Sequence, residues 1–133
     1  MLLILCLLQS CGLDQVEDNY PDYQTANNNE LFDKGWIPRE IVFQSMTEIH
    51  QRTNIDLNSC YFHYQTSKED IQVIKQRVIP IKMKFEKPRR IRISSKNIQR
   101  ITGLNYYYII SEFNDTVFIA IDLERNKIYG WRK

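Results

Sequence analysis

Glycine and proline are scarce, at four each in 133 residues, which excludes collagen-like and low-complexity chains. Cysteine occurs three times, an odd count that cannot close into a fully paired disulfide framework. Histidine occurs only at His50 and His63, and neither CxxC nor HExxH spacing is present, so no zinc motif and no cofactor are expected. There is no G-x-S-x-G elbow and no glycine-rich phosphate loop. No apolar run approaches the roughly 20 residues needed to span a bilayer as a helix. The first 33 residues contain no lysine or arginine.

What is present describes one small domain. Hydrophobic residues make up 43% and aromatics 12%, enough apolar surface to offset the entropy of ordering a chain this long. The apolar run Leu2–Leu8 has the length of a signal-peptide h-region, and it ends in Leu8-Gln9-Ser10-Cys11. That tetrapeptide resembles the lipobox of bacterial lipoproteins, with an apolar residue three before the cysteine and a small one immediately before it. The resemblance implies cleavage before Cys11, acylation of Cys11, and a signal peptide over residues 1–10. With Gly12 rather than Asp after the cysteine, it implies sorting to the outer membrane and attachment to the membrane through lipidated Cys11. The alternative assignment of Leu2–Leu8 is a buried core segment. Under the lipoprotein reading the cysteines divide: Cys6 is removed, Cys11 is the anchor, and Cys60, within an apolar strand-like run, is a small core residue.

Residues 11–33 read as a flexible acidic tether. Asp14, Glu17, Asp18, Asp22, Glu30 and Asp33 carry negative charge, and Asn27–Asn29 interrupt any apolar period. Residues 34–133 then form a single α+β domain: a small antiparallel sheet with a C-terminal β-meander, packed on one or two helices. Thr47–Leu57 alternates with period two, placing Ile49 and Gln51 inward and His50 and Arg52 on a solvated face; a capping box at Ser45–Glu48 offers a helix instead. Cys60–Tyr64 is rich in strand-forming residues. Ser67 and Asp70 cap a predicted helix over Lys68–Arg77, whose Ile71 and Ile74 recur at helical spacing. Alternation from Ile81 to Ile93 around Lys87-Pro88 predicts a hairpin, and Ser95–Thr102 a helical turn. Tyr106–Phe113, Thr116–Leu123 and Lys127–Trp131 form the meander, with Val117, Ile119, Ile121 and Leu123 inward and Asp122 on the surface.

The near-neutral total of +2 conceals a separation of charge. Lys75–Arg100 holds ten basic residues against Glu86, whereas residues 1–60 hold nine acidic against three basic. In an exported protein such a stripe fits an acidic protein, anionic lipid headgroups or an anionic polysaccharide rather than nucleic acid. Arg89, Arg90, Arg92 and Tyr107 are the candidate partner-binding residues, set against the plainer assignment of solvated strand faces and core packing. Three separated segments, Lys34-Gly-Trp-Ile-Pro38, Ser45-x-Thr-x-Ile49 and Asn54-Ile-Asp-Leu-Asn58, resemble a pattern in small envelope lipoproteins of uncharacterised function; the resemblance implies no activity. The expectation is a lipid-anchored, non-enzymatic envelope protein that binds another macromolecule as an inhibitor, immunity or accessory factor. The alternative is a small envelope enzyme whose site is assembled from distant residues.

Overall fold

The computed structural model describes residues 15–81, 90–92, 98–100 and 104–132. The proposed signal peptide, Cys11, the Lys87-Pro88 turn and Arg89 lie outside the described residues.

Seven strands form one antiparallel sheet. In chain order these are β1 (Gln15–Asp22), β2 (Thr47–Asn54), β3 (Ser59–Gln65), β4 (Ile79–Pro80), β7 (Asn105–Ile110), β8 (Thr116–Asp122) and β9 (Lys127–Arg132). Their spatial order is β1-β2-β3-β9-β8-β7-β4. A separate two-stranded ladder pairs β5 (Arg90–Arg92) with β6 (Ile98–Arg100). Two α-helices, α1 (Tyr23–Asn28) and α2 (Lys68–Arg77), and two 3-10 turns complete the elements among the described residues. The architecture is the expected α+β one.

Helix α2 forms where local signals converge. Ser67 Oγ accepts from the Asp70 amide at 3.1 Å, filling one of the donors a helix start leaves unpaired. The Asp70 carboxylate in turn accepts from the hydroxyls of Ser45 and Thr66. Ser45, the alternative helix start, therefore supports the cap of a helix that begins more than twenty residues later. Ile71 and Ile74 turn inward, and Arg77 Nη1 donates to the Glu40 carbonyl at 2.6 Å.

One sheet face packs the core. Cys60, Phe62 and Tyr64 of β3, Val117, Ile119 and Ile121 of β8 and Ile128 of β9 meet Ile71, Ile74, Met46 and Leu31 in one buried cluster. The Tyr64 hydroxyl is enclosed with it and donates to the Ile41 carbonyl at 2.6 Å. The Phe62 ring lies on Gly130, where an added Cβ would come within 1.9 Å of its Cζ. Glycine at this rung is what lets the Phe62 ring of β3 seat.

Four expectations are corrected. Residues 15–33 are not tether. Strand β1 pairs with β2 from Gln15↔Asn54 to Asp22↔Thr47, Asp22 caps α1 through the Thr25 amide at 2.7 Å, and Ala26, Leu31 and Phe32 are buried. The polar face of β2 is not solvated, because both faces are enclosed from Ile49 to Thr53; β2 also stops at Asn54, with a turn at residues 55–58. Leu123 is exposed, lying just beyond the end of β8. Within the predicted Ser95–Thr102 turn, Ile98–Arg100 is a strand.

Candidate ligand-binding face

Register brings together residues that lie far apart in the chain. On the face opposite the main core, one rung runs Asn19–His50–His63–Tyr129–Ala120–Tyr106 across six strands. The next runs Glu17–Arg52–Tyr61–Trp131–Phe118–Tyr108, and Gln15–Asn54–Ser59 follow at the end of the sheet. Phe118 stacks on Trp131 at 5.8 Å, and Tyr106 meets Trp131 edge-on at 6.4 Å. Tyr61, Trp131, Phe118, Tyr106 and Tyr108 are half-buried, whereas Ala120 and Tyr129 are enclosed.

The two histidines of the chain are cross-strand neighbours, their rings stacked 5.0 Å apart. His50 Nδ1 donates to the Asn19 side-chain oxygen at 2.5 Å, which leaves Nε2 carrying the lone pair, buried and without a partner. His63 Nδ1 is likewise buried and without a partner. Burial, reinforced by Lys127 and His50, pushes the His63 pKa down to about 3. Burial also lowers that of His50, despite the opposing charge of Glu17. Both imidazoles are therefore neutral near neutral pH.

Arg52 carries a buried charge with unmet donors on this face. The residue is 8% exposed, and its Nε and Nη1 make no hydrogen bond. The Glu17 carboxylate approaches only to 3.8 Å from Nε. A cleft of about 430 Å³ opens beside it, lined by Gln15, Arg52, Thr53, Asn54, Leu57, Ser59 and Tyr61. A buried guanidinium with unmet donors beside an open cleft can accept an anion, because charge-assisted hydrogen bonds are the strong ones.

Of the residues singled out by sequence, Arg90 and Arg92 belong to the separate β5–β6 ladder and Arg89 lies outside the described residues. In β5, the backbone register sets Arg90 opposite Arg100 and Arg92 opposite Ile98. Tyr107 packs against the main core, on the opposite face from Tyr106 and Tyr108, and so does not belong to this site. Asp122 is 4% exposed rather than on the surface. Its Oδ1 accepts from the Glu124 and Arg125 amides and its Oδ2 from Arg125 Nη1 at 2.9 Å. Burial alone would raise the Asp122 pKa, but these bonds outweigh it and hold the carboxyl below the usual range.

Cys60 is fully enclosed, and burial pushes its thiol up to about 12, which disfavours the thiolate. It shares the core face with Phe62, while His63 is on the other face, as the strand spacing predicts. Among the described residues no three His, Cys, Asp or Glu side chains gather as a metal site would require.

The sequence reading missed Arg52 and the histidine pair. The signal that would have found them is the turn: ending β2 at Asn54 and starting β3 at Ser59 pairs 52 with 61 and 50 with 63.

These features define a class: a small open-sheet α+β domain, covered by helices on one face and bearing an aromatic, histidine- and arginine-containing surface on the other. Residues 14–65, under half of the chain, match the model of the YbbD head domain family. The match runs from the start of β1 to the end of β3 and so crosses the tether–domain boundary expected at residue 33. No curated protein and no solved structure matches the chain.

Proposed function

We propose that this chain is a lipid-anchored, non-enzymatic protein of the bacterial envelope that binds another macromolecule through the sheet face opposite its helices. The carrying observation is the rung Arg52–Tyr61–Trp131–Phe118–Tyr108, in which half-buried aromatics flank a buried cation. Tyrosine, tryptophan and arginine are the side chains that dominate binding hot spots. The anchor rests on Leu8-Gln9-Ser10-Cys11 and on the residue after it, which favours the outer membrane. The basic stretch from Lys75 to Arg100 favours a partner with negative charge, an acidic protein or an anionic polysaccharide, and an inhibitory, immunity or accessory role.

A photo-crosslinking residue placed at Tyr61 in cells should give an adduct that the same residue at the exposed Glu69 of α2 does not. Equal adducts at both positions, or none at Tyr61, would rule the face out. Metabolic labelling with a radioactive fatty acid, abolished by Cys11→Ala, tests the anchor; an unlabelled wild-type chain would exclude it.

A further inference from the structure

We propose that the end of the sheet formed by the start of β1 and the β2–β3 turn is a membrane-docking end, with the Arg52 cleft holding the phosphate of a lipid headgroup. The inference rests on the lipid-anchor reading of Cys11, and three independent observations converge on it.

The first is reach. Strand β1 begins at Gln15, which lines the cleft. Only Gly12, Leu13 and Asp14 separate Gln15 from Cys11, so an acylated Cys11 lies no farther than about 14 Å along the chain from this end. The 22-residue excursion that a flexible tether through residue 33 would have allowed does not exist, because residues 15–22 are paired into the sheet. The domain must sit against the bilayer.

The second is apolar exposure. The turn beside the cleft carries Ile55 and Leu57, exposed at 67% and 71%, the two most exposed large hydrophobic residues described. Solvent gives these side chains no partner, and the acyl boundary of a bilayer at the anchored end does.

The third is the guanidinium. Arg52 is buried without hydrogen bonds at Nε and Nη1, and its nearest carboxylate, Glu17, is half-exposed and loosely placed at 3.8 Å. Ser59, Asn54 and Tyr61 bring further hydrogen-bonding groups to the same cleft. A phosphate oxygen entering it would meet Arg52 and displace Glu17 toward solvent.

The test uses the lipidated full chain in nanodiscs of digalactosyldiacylglycerol, with or without phosphatidylglycerol. Mass spectrometry of Cys11 confirms acylation. The Arg52 Nε–H resonance and the Ile55 and Leu57 amides are followed by NMR, with a spin-labelled lipid to report depth. Phosphatidylglycerol is expected to shift the Arg52 signal, and the spin label to broaden Ile55 and Leu57 but not α2. In parallel, the Cys11→Ala chain is titrated with glycerol phosphate and with inorganic phosphate in solution. Arg52→Gln should weaken glycerol phosphate binding about tenfold or more. Glu17→Gln, which removes the competing carboxylate from an exposed position, should strengthen it. The wild-type Arg52 shift and the Glu17 variant keep the test valid if Arg52→Gln fails to fold.

An acylated chain whose Arg52 signal ignores phosphatidylglycerol, or whose turn amides escape the spin label, overturns the proposal. A response to inorganic phosphate in solution but not to the bilayer reassigns the cleft to a free anion and overturns the headgroup. An unacylated Cys11 with glycerol phosphate still bound overturns the anchor and the docking while leaving a phosphate site.

Discussion

Gln51 occupies the core face of β2 with no exposed surface, and neither its Oε1 nor its Nε2 has a hydrogen-bond partner. A buried amide without partners costs about 1–3 kcal/mol in lost hydration. Gln51→Met, of similar length and without polar atoms, should therefore raise stability by about 1–2 kcal/mol. A higher urea midpoint at unchanged slope is the expected result, and a lower midpoint would show that the amide has a partner. Gln51 was legible as inward-facing, because alternation through Ile49 sets its side of the strand. Arg52 was not. Alternation assigned it to the opposite face correctly but to solvent wrongly, because whether a second sheet face meets water depends on the neighbouring strands. The cross-strand neighbours are Tyr61 across the turn and Glu17, with Trp131 beyond Tyr61, and Glu17 and Trp131 come from remote parts of the sequence.

At the scale of elements, the rung that joins β2 and β3 through His50 and His63 makes stability pH-dependent. His63 titrates at about 3 when folded and at its ordinary value of 6.5 when unfolded. As pH falls below 6.5 the unfolded chain takes up this proton while the folded one does not, so stability drops progressively toward pH 3. His50, also lowered, acts in the same direction. Asp22 and Asp122, with pKa values below the ordinary 3.8, add their loss only at lower pH. Between about pH 7 and pH 5 the slope therefore reports the histidines. Thermal midpoints over that interval should fall for the wild type and fall less for His63→Gln. An unchanged slope in the variant would mean that His63 is not held neutral. Lys127 and Arg52 favour the neutral rings and Glu17 and Asp18 oppose them for His50, so burial decides the outcome.

The whole molecule depends on an edge strand that composition disguises. Removing residues 1–14 should leave the cooperative melt intact, whereas removing residues 1–22 should abolish it. The longer cut exposes the ladder of β2, takes Tyr20 from the core and deletes the Asp22 cap of α1. A chain lacking residues 1–22 that melts as the wild type does would restore the tether. The acidic residues Glu17 and Asp18 on β1 are what an exposed edge carries against edge-to-edge aggregation, and for that reason they read as linker. The α+β class, helix α2 and the three-strand meander needed no tertiary information. Their signals are local: a cap three residues from its partner, isoleucines at helical spacing, and turns between alternating runs. The histidine pairing follows from the short β2–β3 turn, but strand β1 and the burial of Arg52 were decided only by the tertiary structure. Each rests on hydrogen bonds and contacts between segments separated in the chain, and no local pattern encodes which strand a polar segment will find.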